Sequence, residues 1–95
     1  MNFKKIILSS LLTIMLTIPV VVLAVEVGGG YWNYGVGWTG TFGYSDYLHN
    51  SKPHRSAIKF DGQVVASSYA QAGVWAKSVY YRIPPTRMSY YWNTY

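Results

Sequence analysis

Arg55-Ser56-Ala57-Ile58-Lys59-Phe60-Asp61-Gly62-Gln63-Val64-Val65-Ala66-Ser67 is the stretch that decides the fold. Residues Arg55 to Phe60 alternate with a period of two, the signature of a strand with one face turned inward. Asp61-Gly62 then sits between two such runs, and the type I′ turn that closes a two-residue hairpin needs positive φ at both central positions. Such a turn pairs Phe60 with Gln63 and Ile58 with Val65. Ile58, Phe60 and Val65 are therefore expected on the core face, with Lys59 and Val64 on the other.

The same alternation extends in both directions. Upstream, Trp32, Tyr34, Val36 and Trp38 fall on one side and Asn33, Gly35, Gly37 and Thr39 on the other. The glycines on the second side predict a close backbone approach or a bulge, and so many glycines exclude a helix. Phe42 to Leu48 reads as a short extended segment, and His49 to Pro53 as an exposed loop rich in turn formers. Downstream, Ala72-Gly73 makes a turn, after which Trp75, Val79, Tyr81 and Ile83 recur at even spacing with Lys77 among them. Pro84-Pro85 cannot continue as a central strand, because neither residue donates a ladder hydrogen bond. Arg87 to Tyr95 gives a last strand with Met88, Tyr90 and Trp92 on one side. Five or six short strands separated by frequent turns predict an all-β domain, a small antiparallel β-sandwich. Trp32, Trp75 and Trp92 are expected to face inward.

The N-terminal segment sets the solvent in which this domain works. Lys4 and Lys5 precede an apolar run from Ile6 to Ile18, Pro19 breaks it, and Val22-Leu23-Ala24 offers the small residues of a cleavage site. Residues 1–24 are read as a secretory signal peptide, helical if uncleaved and cut after Ala24. Residues 25–95 form the mature domain, which is secreted. An uncut membrane anchor is the alternative, since the apolar run through Leu23 nearly reaches bilayer length. A double-glycine leader ending within Gly28-Gly29-Gly30 ranks lower, because of the long apolar core.

The whole chain carries a formal charge of +5. After cleavage Lys52, Arg55, Lys59, Lys77, Arg82 and Arg87 remain against Glu26, Asp46 and Asp61. A mildly cationic exported domain favours anionic envelope components. Nucleic acid is not an expected partner, since export removes the chain from it and the basic residues do not cluster. The chain has no cysteine, so the disulfides that usually stabilise small secreted domains are absent. Its ten Tyr and four Trp all follow the cut and must supply much of the core. A homodimer is a further expected source of burial.

Three groupings bear on chemistry. His49 and His54 flank Lys52, but a loop spacing without Cys or paired carboxylates is a poor metal site, and no metal or other cofactor is expected. Asp46, His49 and a serine could be drawn as a triad. The domain is too small for an oxyanion hole with a cleft and lacks a Gly-x-Ser-x-Gly elbow, so no catalytic residues and no enzyme activity are expected. The third grouping places cations beside aromatics. His49, Lys52, His54 and Arg55 could hold a pyrophosphate through charge-assisted hydrogen bonds, with Trp32 or Trp75 as structure or as a stacking surface.

Gly30-Tyr31-Trp32-Asn33-Tyr34-Gly35, the run from Tyr44 to Ala57, Ala72-Gly73-Val74-Trp75-Ala76-Lys77 and Tyr90-Tyr91-Trp92 together resemble the lactococcin 972 family of bacteriocins. The resemblance spans nearly all of the mature chain. The chain departs from the family pattern between Lys59 and Tyr69 and around Pro84-Pro85. What the resemblance implies is a secreted, cysteine-free antibacterial β-sandwich that tends to dimerise. It also implies binding of the cell-wall precursor lipid II and blockage of septum formation in dividing Gram-positive cells, without pores. Membrane contact is then expected through the target rather than by spanning. An extracellular carbohydrate-binding or adhesion module is the rival expectation. A membrane-permeabilising peptide is a weaker one, since no amphipathic basic helix is present.

Overall fold

The computed structural model describes residues 24–95. The leader, apart from Ala24, lies outside the described residues. The domain is all-β, with seven strands: β1 (Val25–Val27), β2 (Gly30–Val36), β3 (Phe42–Leu48), β4 (His54–Phe60), β5 (Gln63–Ala70), β6 (Ala76–Tyr81) and β7 (Met88–Thr94). They form a four-stranded sheet in the order β1-β2-β3-β6 and a three-stranded sheet in the order β5-β4-β7, every pairing antiparallel. The chain passes from one sheet to the other after β3, β5 and β6. β4 lies against β3 and β6, and β7 against β3, so the inner faces of the two sheets pack on each other.

The deciding hairpin forms as its sequence requires. Asp61 has φ of 49° and Gly62 of 83°, the left-handed pair of a I′ turn, and Phe60 faces Gln63. One step further the register differs from the simple alternation. Ile58 pairs with Ala66 instead of Val65, because a bulge between Ile58 and Lys59 leaves Val65 as the extra residue on β5. Ile58 still points into the core and is fully buried.

Three other sequence expectations are corrected. The seventh strand, β1, pairs with the start of β2 through the Gly28-Gly29 turn. Trp38 does not extend β2. It occupies a turn in which the Gly37 N–H donates to the Phe42 carbonyl and the Gly40 N–H to the Gly37 carbonyl, and it is 95% exposed. On β6 the inward residues are Ala76, Ser78 and Tyr80, so Val79 and Tyr81 face out and Trp75 stands outside the strand, partly exposed. The inner face there is small because β4 comes close against it. At Gly37 the close approach is by a side chain and not the expected backbone: the Phe42 ring fills the space that a Cβ would need.

The layer between the sheets is aromatic at its edges and polar at its centre. Tyr47 is fully buried, stacks on Trp92 with ring centroids 4.9 Å apart, and donates its hydroxyl to the Val27 carbonyl at 2.7 Å, which holds the β1 hairpin down. Burial pushes the Tyr47 phenol above its ordinary pKa, partly opposed by a hydrogen bond with the Gly30 backbone. Trp32 stacks on Tyr34 at 3.9 Å, and its indole N–H donates to Ser45 Oγ at 3.0 Å. Ser45 in turn donates to the Tyr91 carbonyl on the opposite sheet at 3.1 Å. Ser56 and Ser78 hydroxyls meet at 2.7 Å, and Ser78 Oγ also lies 3.1 Å from the Ser56 carbonyl. One assignment satisfies both contacts: Ser56 donates to Ser78, and Ser78 donates to the carbonyl.

Two predictions follow from this interior. Ser78→Ala should lower unfolding stability by about 1–3 kcal/mol, since it leaves the buried Ser56 hydroxyl without a partner, and Ser56→Ala should cost less, since Ser78 keeps the Ser56 carbonyl. In urea unfolding the double variant should lose less than the sum of the two, and strict additivity would show that the hydroxyls do not act as a pair. On the outward face of the four-stranded sheet, Asp46 lies in register between Asn33 and Lys77. Burial raises its carboxyl pKa, and Lys77 lowers it only part of the way back. The folded chain thus holds this proton more tightly than the unfolded chain, and the ionised carboxylate costs stability at neutral pH. Asp46→Asn should raise the thermal midpoint at pH 7. That gain should shrink as pH falls and vanish below about 3.8, where the unfolded carboxyl is protonated as well. A midpoint lowered by the substitution at pH 7 would overturn the assignment.

Candidate functional site: the outward face of the three-stranded sheet

β4 is the central strand of its sheet, so its alternation serves two faces at once. His54, Ser56 and Ile58 point inward, and Arg55, Ala57 and Lys59 point outward. The pairing register places Tyr69, Arg55 and Asn93 in one outward row. Ser67, Ala57 and Tyr91 form the next, and Val64, Lys59 and Ser89 the third. Ala57, although outward, is only 5% exposed, and it forms the floor of a depression bordered by Arg55, Tyr91 and Asn93.

Both cations of this face are positioned by aromatic rings. The Arg55 guanidinium carbon lies 5.3 Å from the centroid of Tyr69, and its Nε donates to Ser67 Oγ at 2.8 Å. That bond fixes one edge of the guanidinium and leaves its terminal N–H groups for an anion. Lys59 Nζ lies 4.8 Å from the centroid of Tyr91, the cross-strand neighbour of the floor residue Ala57. Tyr69 also stacks on Tyr95 at 6.0 Å. Among the described residues the one ion pair is Arg87 with Asp61, 3.6 Å apart and open to solvent, so neither Arg55 nor Lys59 is neutralised by a carboxylate. Four residues of strand separate the two backbones by about 13 Å, and Arg55 Nε and Lys59 Nζ each reach toward the Ala57 row, to Ser67 on one side and Tyr91 on the other. The face offers two cations, tyrosine rings and Ser and Asn donors, the set that an anionic sugar conjugate requires. A second cleft follows Glu26 to Tyr31, but its one charged side chain is acidic.

The structure keeps His49, Lys52 and His54 together and places Arg55 and Trp32 elsewhere. His49 is buried, and its Nδ1 accepts the backbone N–H groups of Ser51 at 3.1 Å and Lys52 at 3.0 Å. His54 is 1% exposed, with Nδ1 2.9 Å from the Lys52 carbonyl and Nε2 2.6 Å from the Val74 carbonyl. The histidines therefore clasp the β3–β4 loop to the β5–β6 loop, which the Gly73 N–H also ties to the His49 carbonyl at 2.9 Å. His54 thus has both ring nitrogens against loop carbonyls, and His49 has its Nδ1 taken by loop N–H groups and is 6% exposed. Lys52 is exposed on this pinned loop, and Trp75, 38% exposed, follows Val74 on the other loop that His54 holds. Trp32 lies between the sheets with its N–H occupied by Ser45. Of the six candidates, Arg55 alone lies on the outward tyrosine face.

Lys59, Tyr69 and Tyr91 were not among those candidates. The signal for Lys59 was in the sequence, since Arg55 to Phe60 puts Arg55 and Lys59 on one side of a strand. The tyrosines depend on register across two partner strands, which periodicity alone does not fix.

Comparison with known proteins bears on the same domain. The family model described as Bacteriocin (Lactococcin_972) matches residues 28–91. Comparison with curated protein sequences gives no significant match. The solved structure of lactococcin 972 is 31% identical in sequence and superposes with a TM-score of 0.59, covering 70% of this chain and 98% of that one. The match runs from the Gly-rich turn into β7 and so includes all three strands of the tyrosine face. A shared fold and a family match over most of the described domain place this chain in the lactococcin 972 family of bacteriocins.

Proposed function

We propose that this bacteriocin is exported by its N-terminal leader, cut after Ala24, and inhibits related Gram-positive bacteria by capturing lipid II, thereby blocking septum formation. The mode of action is binding rather than catalysis. The pyrophosphate would take the free N–H groups of Arg55 and the Lys59 ammonium, and a sugar ring would lie on Tyr69 or Tyr91. The observation that carries this reading is the pair of cations without carboxylate partners, each set against a tyrosine over the shallow Ala57 floor. Lys52 and Trp75, on the neighbouring loops, would add contacts at the periphery.

The test is to purify the secreted product, read its N-terminus by mass spectrometry, and spot it on growing Gram-positive lawns with and without added lipid II. Inhibition reversed by lipid II is the expected result. Inhibition that lipid II leaves untouched discards the target and keeps the bacteriocin, and no inhibition on a broad panel favours a carbohydrate-binding module. Arg55→Gln with Lys59→Gln should weaken lipid II binding by about a hundredfold or more, as expected for two lost charge-assisted hydrogen bonds. Circular dichroism should not change. Full killing by that double variant removes the tyrosine face from the mechanism.

A further inference from the structure

Three connections meet at the end of the sandwich away from the histidines. The β2–β3 turn is bound to the segment after β6, where the Arg82 N–H donates to the Thr41 carbonyl at 3.0 Å. The β4–β5 turn joins them, with the Asp61 N–H against the Arg87 carbonyl at 3.4 Å and the Arg82 guanidinium carbon 4.1 Å from the Phe60 ring centroid. From this braced end emerge Trp38 at 95%, Ile83 at 76% and Tyr81 at 74% exposure, higher than any other large hydrophobic side chain of the described residues. Tyr81 packs on Phe42 at 5.5 Å, and Phe42 fills the space over Gly37, so the aromatics are continuous with the Trp38 turn. The charges nearby are Lys59, Arg82 and Arg87 against the single carboxylate Asp61.

We propose that this rim is a membrane-interface anchor: Trp38, Tyr81 and Ile83 enter the headgroup layer of an anionic bilayer while Arg82, Arg87 and Lys59 remain among the phosphates. Tryptophan and tyrosine with adjacent basic residues are the side chains that favour this depth, with an apolar body and a polar tip. The three side chains offer roughly 500 Å² of surface. A stable dimer needs about 800 Å² from each partner, so the rim is too small to be a self-association face of ordinary size. An anionic bilayer adds charge complementarity that a second copy of a cationic chain lacks. No helix among the described residues is long and apolar enough to cross a membrane. This anchoring does not depend on lipid II and goes beyond its capture.

The experiment uses the purified secreted protein and sucrose-loaded vesicles of phosphatidylglycerol and phosphatidylcholine that contain no lipid II. The protein should sediment with these vesicles, less with pure phosphatidylcholine and less in high salt. Trp38→Ser combined with Ile83→Ser should lower the partition coefficient at least tenfold, and the single Trp38→Ser variant should lie between. Both positions are exposed, so circular dichroism of the variants should match the parent. Failure of the parent to bind phosphatidylglycerol vesicles overturns the proposal, as does equal binding by parent and double variant. A shift from dimer to monomer in the double variant, with no vesicle binding by the parent, assigns the rim to self-association instead. Because the vesicles lack lipid II and killing is not measured, failure here is distinguishable from failure of the precursor-capture reading.

Discussion

The fold depends on three buried serines that let the two sheets touch across polar groups. Ser56 and Ser78 join β4 to β6, and Ser45 joins β3 to the backbone of β7 while receiving the Trp32 indole. In a chain without cysteine these bonds cross-link the sheets where a disulfide otherwise would. Their net contribution is modest while they are satisfied, but the penalty for leaving one unpaired is larger, so they specify one sheet alignment more than they add stability. Small residues at the centre also account for the aromatic distribution. Tyr47, Trp92, Trp32 and Tyr34 fill the wider space to either side of the serines, as the stacked Tyr47–Trp92 and Trp32–Tyr34 pairs show.

The same constraint positions the candidate site. β4 is held on its inner face by Ser56, Ile58 and His54, and on both edges by β5 and β7. Arg55, Ala57 and Lys59 are the alternate residues of that fixed strand, so the spacing of the cations follows from the strand rise and not from loop conformation. A site built this way loses little entropy on binding, which favours capture of a rigid anionic group. The histidine clasp restrains the Arg55 end of the strand, where His54 holds the loop of Ser51, Lys52 and Pro53 against the β5–β6 loop.

Much of the architecture was legible in the sequence. Asp61-Gly62 fixed one hairpin by its demand for positive φ, and the alternation of Met88, Tyr90 and Trp92 gave the inner face of β7. The bulge at Ile58/Lys59 was not legible, because inserting Val65 leaves the local hydrophobicity of β5 unchanged. The inward position expected for Trp75, in even spacing with Val79 and Tyr81, is not the one it takes, and for a definite reason. The strand turns Ala76 and Ser78 toward β4, where larger side chains do not fit, so hydrophobicity pointed to the wrong face. For the histidines, sequence proximity to Lys52 and Arg55 suggested a shared ligand, whereas both nitrogens of His54 and the Nδ1 of His49 meet loop backbone. The family resemblance, by contrast, rested on segments in β2, β3, β4, β6 and β7 and matched the comparison with known proteins.

The two proposed surfaces make physical sense together. Lys59 lies one residue before Phe60, whose ring carries the Arg82 guanidinium of the rim, while Arg55 is four residues further from it along the same strand. If the rim enters the headgroup layer, the tyrosine face rises from the membrane plane with Lys59 nearest the phosphates and Arg55 about 13 Å higher along the strand. A lipid-linked pyrophosphate is held close to that layer by its own hydrocarbon chain, and its sugars extend outward. Lys59 would then meet the pyrophosphate first, the terminal N–H groups of Arg55 would reach down to it, and Tyr69 and Asn93 would face the sugar portion. Anchoring would raise the effective concentration of the face near such a precursor without a new contact to it, in the way that a second binding element strengthens the first.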